Sequence, residues 1–232
     1  MNSAAKKYAG SYIVNSDLLC GVVKMTSISQ DIFTIAERYA IELDKKVSER
    51  MDEMQRDDLS HYLIYRVLGI DENEGHLIDL YQNKGRFLYK YAGSFLEEAA
   101  ILCFKRKFPE AQKIRIPNNQ GMRPKEFEID CLINSNAYEI KWRDATTDGD
   151  HINKEHDRLK AIQSQEYTPI RVMFYYPNRK QAIRIQKTLE TLYTGVGGKY
   201  YYGDSAWEYL YQKTDIDLKR VLVDIVSKRE ER

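Results

Sequence analysis

The stretch FEIDCLINSNAYEIKWR, Phe127–Arg143, brings Asp130, Glu139 and Lys141 close together in a segment that alternates apolar and polar residues. Phe127–Ile133 and Ala137–Arg143 both have strand character, and Asn134 and Ser135 between them are turn formers, so the segment predicts a hairpin. Alternation puts Phe127, Ile129 and Cys131 on one face of the first strand and Glu128 and Asp130 on the other. In the second strand Tyr138, Ile140 and Trp142 oppose Glu139, Lys141 and Arg143. A two-residue turn sets Asp130 opposite Glu139 and Glu128 opposite Lys141.

Two carboxylates about 5 Å apart repel by roughly 3 kcal/mol at an effective dielectric near 20, so the pair calls for a cation or a shared proton. A hard divalent ion meets that need. Mg²⁺ takes oxygen ligands, keeps several waters and lowers the pKa of a bound water. Lys141 beside it would orient a nucleophile or steady charge growing on a phosphate. This is the chemistry of phosphodiester hydrolysis. The plainer alternative is a solvated cross-strand ion cluster, and the acid-x-lysine triplet alone is weak, since Asp44–Lys46 and Asp217–Lys219 repeat it within predicted helices.

The elements around the hairpin must hold it. A proline-free helical pattern runs from Asp31 to about Val67, with Ile32, Ile35, Ala36, Tyr39 and Leu43 near the 3.6 period, and Gly69 ends it. A second helix, opened by a turn at Asn83–Gly85, carries Phe95, Ala99 and Leu102 toward a core and stops before Pro109. After the hairpin come a helix over HINKEHDRLKAIQSQ, an apolar strand at Ile170–Pro177 and a helix over RKQAIRIQKTLETLYTG. An aromatic helix and a closing helix form the tail. The expected fold class is α/β, bordering on α+β: a central mixed β-sheet flanked by helices, with residues 1–82 as a helical N-terminal region and 83–232 as the core.

With 232 residues, 43% of them hydrophobic and 31% charged, the chain is expected to bury one sizeable core. No apolar run approaches the roughly 20 residues of a membrane span, and the first residues lack the apolar core of a signal peptide, so the expected location is cytoplasmic. Cys20, Cys103 and Cys131 read as reduced and structural, and His151 and His156 have no cysteines at zinc-site spacing. The net charge of +1 restricts any nucleic-acid contact to local positive patches.

Asp130 followed at a distance by Glu139-Ile140-Lys141 resembles the PD-(D/E)xK signature of many type II restriction endonucleases, with Ile129 where the family name has proline. Gly93-Ser94-Phe95-Leu96-Glu97 resembles the family's helix glutamate. Glu98 competes for that role, because neighbouring helix positions diverge by about 100° and one of the two can face the site. EIKWRDATTDGDH (Glu139–His151), then INKEHDRLK and AWEYL, is similar to the ApaLI-like restriction endonucleases. The resemblance implies a restriction-endonuclease-like core and a homodimeric, Mg²⁺-dependent enzyme. It would cut double-stranded DNA at a palindrome, of which GTGCAC is the family's named example, leaving 5′-phosphates. Asp130 and Glu139 would bind the metal, Glu97 would support it or its waters, and Lys141 would position the attacking water. A companion DNA methyltransferase is implied functionally, not as a stable complex.

Candidate DNA-reading residues follow the second strand: Arg143, Asp144, Asp148, Asp150, His151, Asn153, Lys154, His156 and Arg158. Arginine and lysine suit guanine, asparagine suits adenine, and acids accept from cytosine. The alternative is a solvated loop and a helix capped by Asp148 or Asp150 with support from Glu155. Asn118, Asn119, Gln120 and Arg123 form a second candidate loop, although Asn-Asn-Gln-Gly is also good turn chemistry. Lys105, Arg106 and Lys107 fit a helix C-terminus, and the tyrosines between Tyr193 and Tyr211 fit core packing or a dimer seam better than base stacking. A repair nuclease with the same core, an inert DNA-binding protein and a purely structural α/β protein remain the rival readings.

Overall fold

The computed structural model describes residues 27–119, 123–143 and 150–231. Among them, α1 (Ser27–Arg56), α2 (Tyr62–Val67) and α3 (Glu72–Lys107) precede a sheet built from β1 (Gln112–Pro117), β2 (Glu126–Ile133), β3 (Asn136–Arg143), β4 (Thr168–Tyr175) and β5 (Lys199–Tyr202). α4 (Asp150–Ser164) joins β3 to β4, α5 (Lys180–Gly195) joins β4 to β5, and α6 (Asp204–Thr214) and α7 (Leu218–Glu230) close the chain. The strands lie in the order β1-β2-β3-β4-β5; the first two pairings are antiparallel and the last two parallel. The antiparallel β2–β3 pairing follows from the tight turn after β2, and the parallel pairings from the helical crossovers.

The N-terminal helices differ from the sequence expectation in two places. The helix predicted to Val67 stops at Arg56, because the Asp58 carboxylate accepts from the Ser60 amide at 2.8 Å and offers the backbone a turn in place of a helical bond. The turn expected at Asn83–Gly85 lies inside α3. There the Asn83 side-chain amide donates to the Asp79 carbonyl (2.8 Å), and Arg50 of α1 donates to the Asn83 Oδ1 (3.2 Å), so packing on α1 outweighs glycine's cost of about 1 kcal/mol in a helix. α3 begins instead where Asp71 caps the amides of Asn73 and Glu74, just after Gly69 turns the chain at a φ of +84°.

Two cores clasp the sheet. On one face α3, α6, α1 and α7 cover Cys131, Ile133, Tyr138, Ile140, Ile170, Val172 and Phe174. On the other, Ala161 and Ile162 of α4 pack on Ile116, Phe127, Ile129, Leu132 and Ala137. β2 therefore changes phase along its length. Phe127 and Ile129 share a core with Leu132, whereas Cys131 belongs to the opposite core. This corrects the strict alternation expected for Cys131. The register shows why: Ile114 pairs with Ile129 but Gln112 with Leu132, so β2 has one residue more than β1 between these points, a bulge around Asp130.

β1 and β5, which the sequence reading did not assign as strands, are the two edges of the sheet. α5 returns to β5 through Gly198, where an added Cβ would lie 2.5 Å from the Pro169 carbonyl oxygen and 2.9 Å from that of Tyr193. Backbone cannot yield as a flexible side chain can, so Gly198→Ala is expected to destabilise the fold by about 2 kcal/mol. Thermal denaturation should register this as a melting temperature several degrees below wild type.

Candidate active site

The bulge and the turn together build the site. At the hairpin tip Asn134, with a φ of +52°, allows the two-residue connection, and Ile133–Asn136, Leu132–Ala137 and Cys131–Tyr138 pair in the predicted register. Ladder pairing ends there, and the Asp130 side chain takes over from it, its Oδ2 accepting the Ile140 amide at 2.7 Å. The carboxylate is thereby fixed beside β3, where Glu139 and Lys141 face the α4 side of the sheet with Ala137. Lys141 Nζ lies 2.6 Å from Glu139 Oε1 and 3.8 Å from Asp130 Oδ2. Asp130 and Glu139 are 6% and 4% exposed, so a solvated surface ion cluster is not what these strands make. The other two acid-x-lysine triplets fall in α1 and at the start of α7, as expected.

Burial and the two acids' proximity set their protonation. Desolvation, then the neighbouring Glu139 charge, raises the Asp130 carboxyl to about 7, with Lys141 only partly opposing. Burial also disfavours ionised Glu139, but Lys141, Arg158 and Arg171 outweigh it and hold Glu139 well below the ordinary range. Lys141 loses solvation too, yet Glu139 and Asp130 keep it protonated with a raised pKa. Neighbouring carboxyl groups are thus driven in opposite directions, a pattern characteristic of sites that do acid–base or metal chemistry.

Behind Glu139 stands a layer that the sequence reading missed. Arg158 of α4 pairs with Glu139 Oε2, and its Nε is 3.9 Å from Glu155 Oε2. The other Glu155 oxygen, Oε1, accepts from Arg171 Nη1 at 3.1 Å and from the Tyr193 hydroxyl at 2.6 Å. Glu155 is therefore buried in this network, while Asp148 and the Asp150 side chain, the cap candidates it was expected to support, lie outside the described residues. A signal was present: Arg171 interrupts the apolar run of β4 and is fully buried, and a buried guanidinium requires an acid. The parallel register sets Arg171 beside Glu139.

Glu97 and Glu98 part company on α3. Glu98 accepts from Arg38 (2.5 Å) and from the Tyr39 hydroxyl (2.9 Å) of α1. Glu97 bonds Lys113 of β1 at 3.0 Å, beside Glu128 on the same lysine at 2.9 Å, and its charge contributes to the raised Asp130. Among the described residues no three His, Cys, Asp or Glu side chains are gathered to hold a metal ion. Glu97 is drawn toward Lys113, and both Glu139 oxygens already face cations.

The DNA-reading candidates divide. Arg158 is inside the carboxylate cluster, and His151 is half-buried, whereas Asn153, Lys154 and His156 are exposed along α4. Arg143, also exposed, lies over the rings of Tyr89 (5.3 Å) and Trp142 (5.5 Å). Asn118 closes its loop by donating from its side chain to the Pro124 carbonyl and from its amide to that of Lys125, and Asn119 and Arg123 are exposed. Gln120, Asp144, Asp148 and the Asp150 side chain lie outside the described residues, as does Cys20. Cys103 and Cys131 are buried free thiols, each raised to about 12 by desolvation. Lys107 pairs with Asp215, and Arg106 with Asp31, at the end of α3. Tyr193 and Tyr209 are core residues.

A mixed five-stranded sheet between helical layers, with two buried acids and a lysine on its central hairpin, has a restriction-endonuclease-like arrangement. The chain belongs to the ApaLI-like restriction endonuclease family, whose model matches residues 14–227. It is accordingly a nuclease, a hydrolase whose substrate is DNA. No curated protein and no solved structure matches the chain. No helix among the described residues is long and apolar enough to cross a membrane.

Proposed function

We propose that the protein is a type II restriction endonuclease of the PD-(D/E)xK type, hydrolysing both strands of duplex DNA at a short palindrome in a Mg²⁺-dependent reaction. The observation that carries this reading is the buried pair Asp130 and Glu139 with Lys141 Nζ between them. Their chemistry fits a hard divalent cation. Both offer oxygen ligands, and Asp130 is a buried carboxyl whose charge the nearby lysine only partly offsets. Asp130 and Glu139 would hold the ion, and Glu97, on the adjoining helix, would support its water shell. When bound, Mg²⁺ would supply Lewis-acid stabilisation of the phosphate and lower the pKa of water.

The chain's own groups supply the rest. Lys141, protonated and held by Glu139, presents an ammonium to orient the attacking water and to stabilise charge developing on the phosphate. The Asp130 bond to the Ile140 amide keeps β2 and β3 at a fixed separation and so preserves the spacing of the acids. Exposed Asn153, Lys154 and His156, with Arg143, Asn119 and Arg123, are the groups proposed to contact DNA. A palindrome has two equivalent strands, so a homodimer supplies one site for each. The family resemblance makes GTGCAC the first sequence to try. The same role requires a methyltransferase to protect host DNA, and cytoplasmic location accords with it.

The test is digestion of unmethylated phage DNA in Mg²⁺ with sequencing of the fragment ends. Discrete fragments sharing one palindrome and bearing 5′-phosphates are expected. A smear, or cutting only at branched or damaged DNA, would replace this reading with that of a structure-specific nuclease.

A further inference from the structure

A chain of ion pairs runs through the site, linking Asp130, Glu139 and Glu155 with Lys141, Arg158 and Arg171. Glu139 meets a cation at each of its oxygens. One oxygen meets Lys141 and the other Arg158. Each oxygen keeps a second lone pair, but a divalent cation bound there would sit against two resident positive charges, so its binding is eased when one of them moves, and the two are not equivalent in where they can go. Among the described residues, Lys141 away from Glu139 has Asp130, the other carboxylate of the pair. Arg158 has Glu155 Oε2 already 3.9 Å from its Nε. Glu155 itself is anchored through its other oxygen by Arg171 and Tyr193, both fully buried, so it remains in place whichever acid Arg158 chooses. The Arg158 side chain keeps about a fifth of its surface exposed, which leaves the guanidinium room to shift.

We propose that Arg158 is a displaceable counter-ion that occupies Glu139 in the absence of metal, and that Glu155 is the carboxylate onto which it withdraws when a divalent cation takes Glu139. This rests on the metal reading of the site given above. Glu155 is then a positioning residue: it acts through Arg158 by lowering the cost of releasing Glu139. The withdrawn guanidinium stays at the rim of the acidic pair, where incoming phosphate would restore the charge balance that the metal disturbs. Holding Glu155 of α4 in place gives a role to Arg171, a fully buried charge within the apolar run of β4.

The test uses Ca²⁺ as the probe and isothermal titration calorimetry of the full chain without DNA, across wild type, Arg158→Met, Glu155→Gln and the double variant, with Asp130→Asn as the control for site occupancy. Arg158→Met is expected to bind Ca²⁺ roughly tenfold more tightly, since a competing cation has gone. Glu155→Gln, which can still accept from Tyr193, is expected to weaken Ca²⁺ binding in the wild-type background and to have little effect when Arg158 is already methionine. A purely structural role would not tighten metal binding. Equal or weaker Ca²⁺ binding by a folded Arg158→Met, with wild-type binding still abolished by Asp130→Asn, would overturn the exchange and leave the metal site standing. An equal cost of Glu155→Gln in both backgrounds would overturn Glu155 as the receiving acid, because a distant field effect does not depend on Arg158. Ca²⁺ binding insensitive to Asp130→Asn, or absent from wild type and Arg158→Met alike, would refute the metal reading itself and the exchange with it.

Discussion

Lys141→Met is expected to lower DNA cleavage by about a hundredfold to a thousandfold, the scale lost when one preorganised electrostatic group is removed from a transition state. The change removes the ammonium 2.6 Å from Glu139 and 3.8 Å from Asp130 while keeping an unbranched side chain of similar length. Asp130 and Glu139 then lose a shared cation, so their affinity for a divalent ion should rise even as turnover falls. Opposite movement of metal affinity and rate is the diagnostic. Single-turnover cleavage alongside Ca²⁺ titration measures both, and equal cleavage by the variant would remove Lys141 from the chemistry.

Asp130→Asn is expected to cost about a thousandfold or more in cleavage and to abolish stabilisation by Ca²⁺ or Mg²⁺. It also carries a pH signature. The Asp130 carboxyl is raised from 3.8 to about 7, so the folded protein holds a proton that the unfolded chain has already released. The stability associated with that proton is fully present below the unfolded value and is lost as pH rises through the folded one. Without metal, wild type should therefore lose stability relative to Asp130→Asn as pH climbs from about 4 to about 7. With Ca²⁺ at the upper end of that window the order should reverse, because only the carboxylate gains the ion. Glu139, shifted downward, works in the other direction, losing its contribution as pH falls below the ordinary carboxylate range. Melting curves in chelator and in Ca²⁺ across this range test the crossing; parallel curves would show that Asp130 is neither strained by burial nor relieved by metal.

The hairpin was legible in the sequence because alternation and a two-residue turn define its register almost without reference to the rest of the chain. The acids converge as that register requires. The bulge at Asp130 was not legible, since it arises from how β2 meets β1 and two different cores, and it moves Cys131 to the face opposite Phe127 and Ile129. β5, four residues long at a sheet edge, is too short to show a period among its tyrosines. In α1 and α3 local signals and tertiary packing competed: Asp58 ended a helix whose apolar period continued, and contacts with α1 carried α3 through Gly85. That Glu98 turns to α1, where Arg38 and Tyr39 bind it, could be read only from the position of α1. Arg171 was the most informative overlooked residue, because a charge in an apolar strand implies the partners Glu155 and, through it, Arg158.

Asp130 and Glu139 are proposed as the metal-binding heart of this nuclease. The most direct measurement is a crystal structure with duplex DNA and Mn²⁺, with the ion located by its anomalous scattering. A peak bonded to carboxylate oxygens of both Asp130 and Glu139 is expected, at roughly the 2.0–2.2 Å of a hard octahedral ion, with Lys141 facing the scissile phosphate. Mn²⁺ bound elsewhere beside the cleaved phosphate, with Glu139 still paired to Lys141 and Arg158, would contradict it.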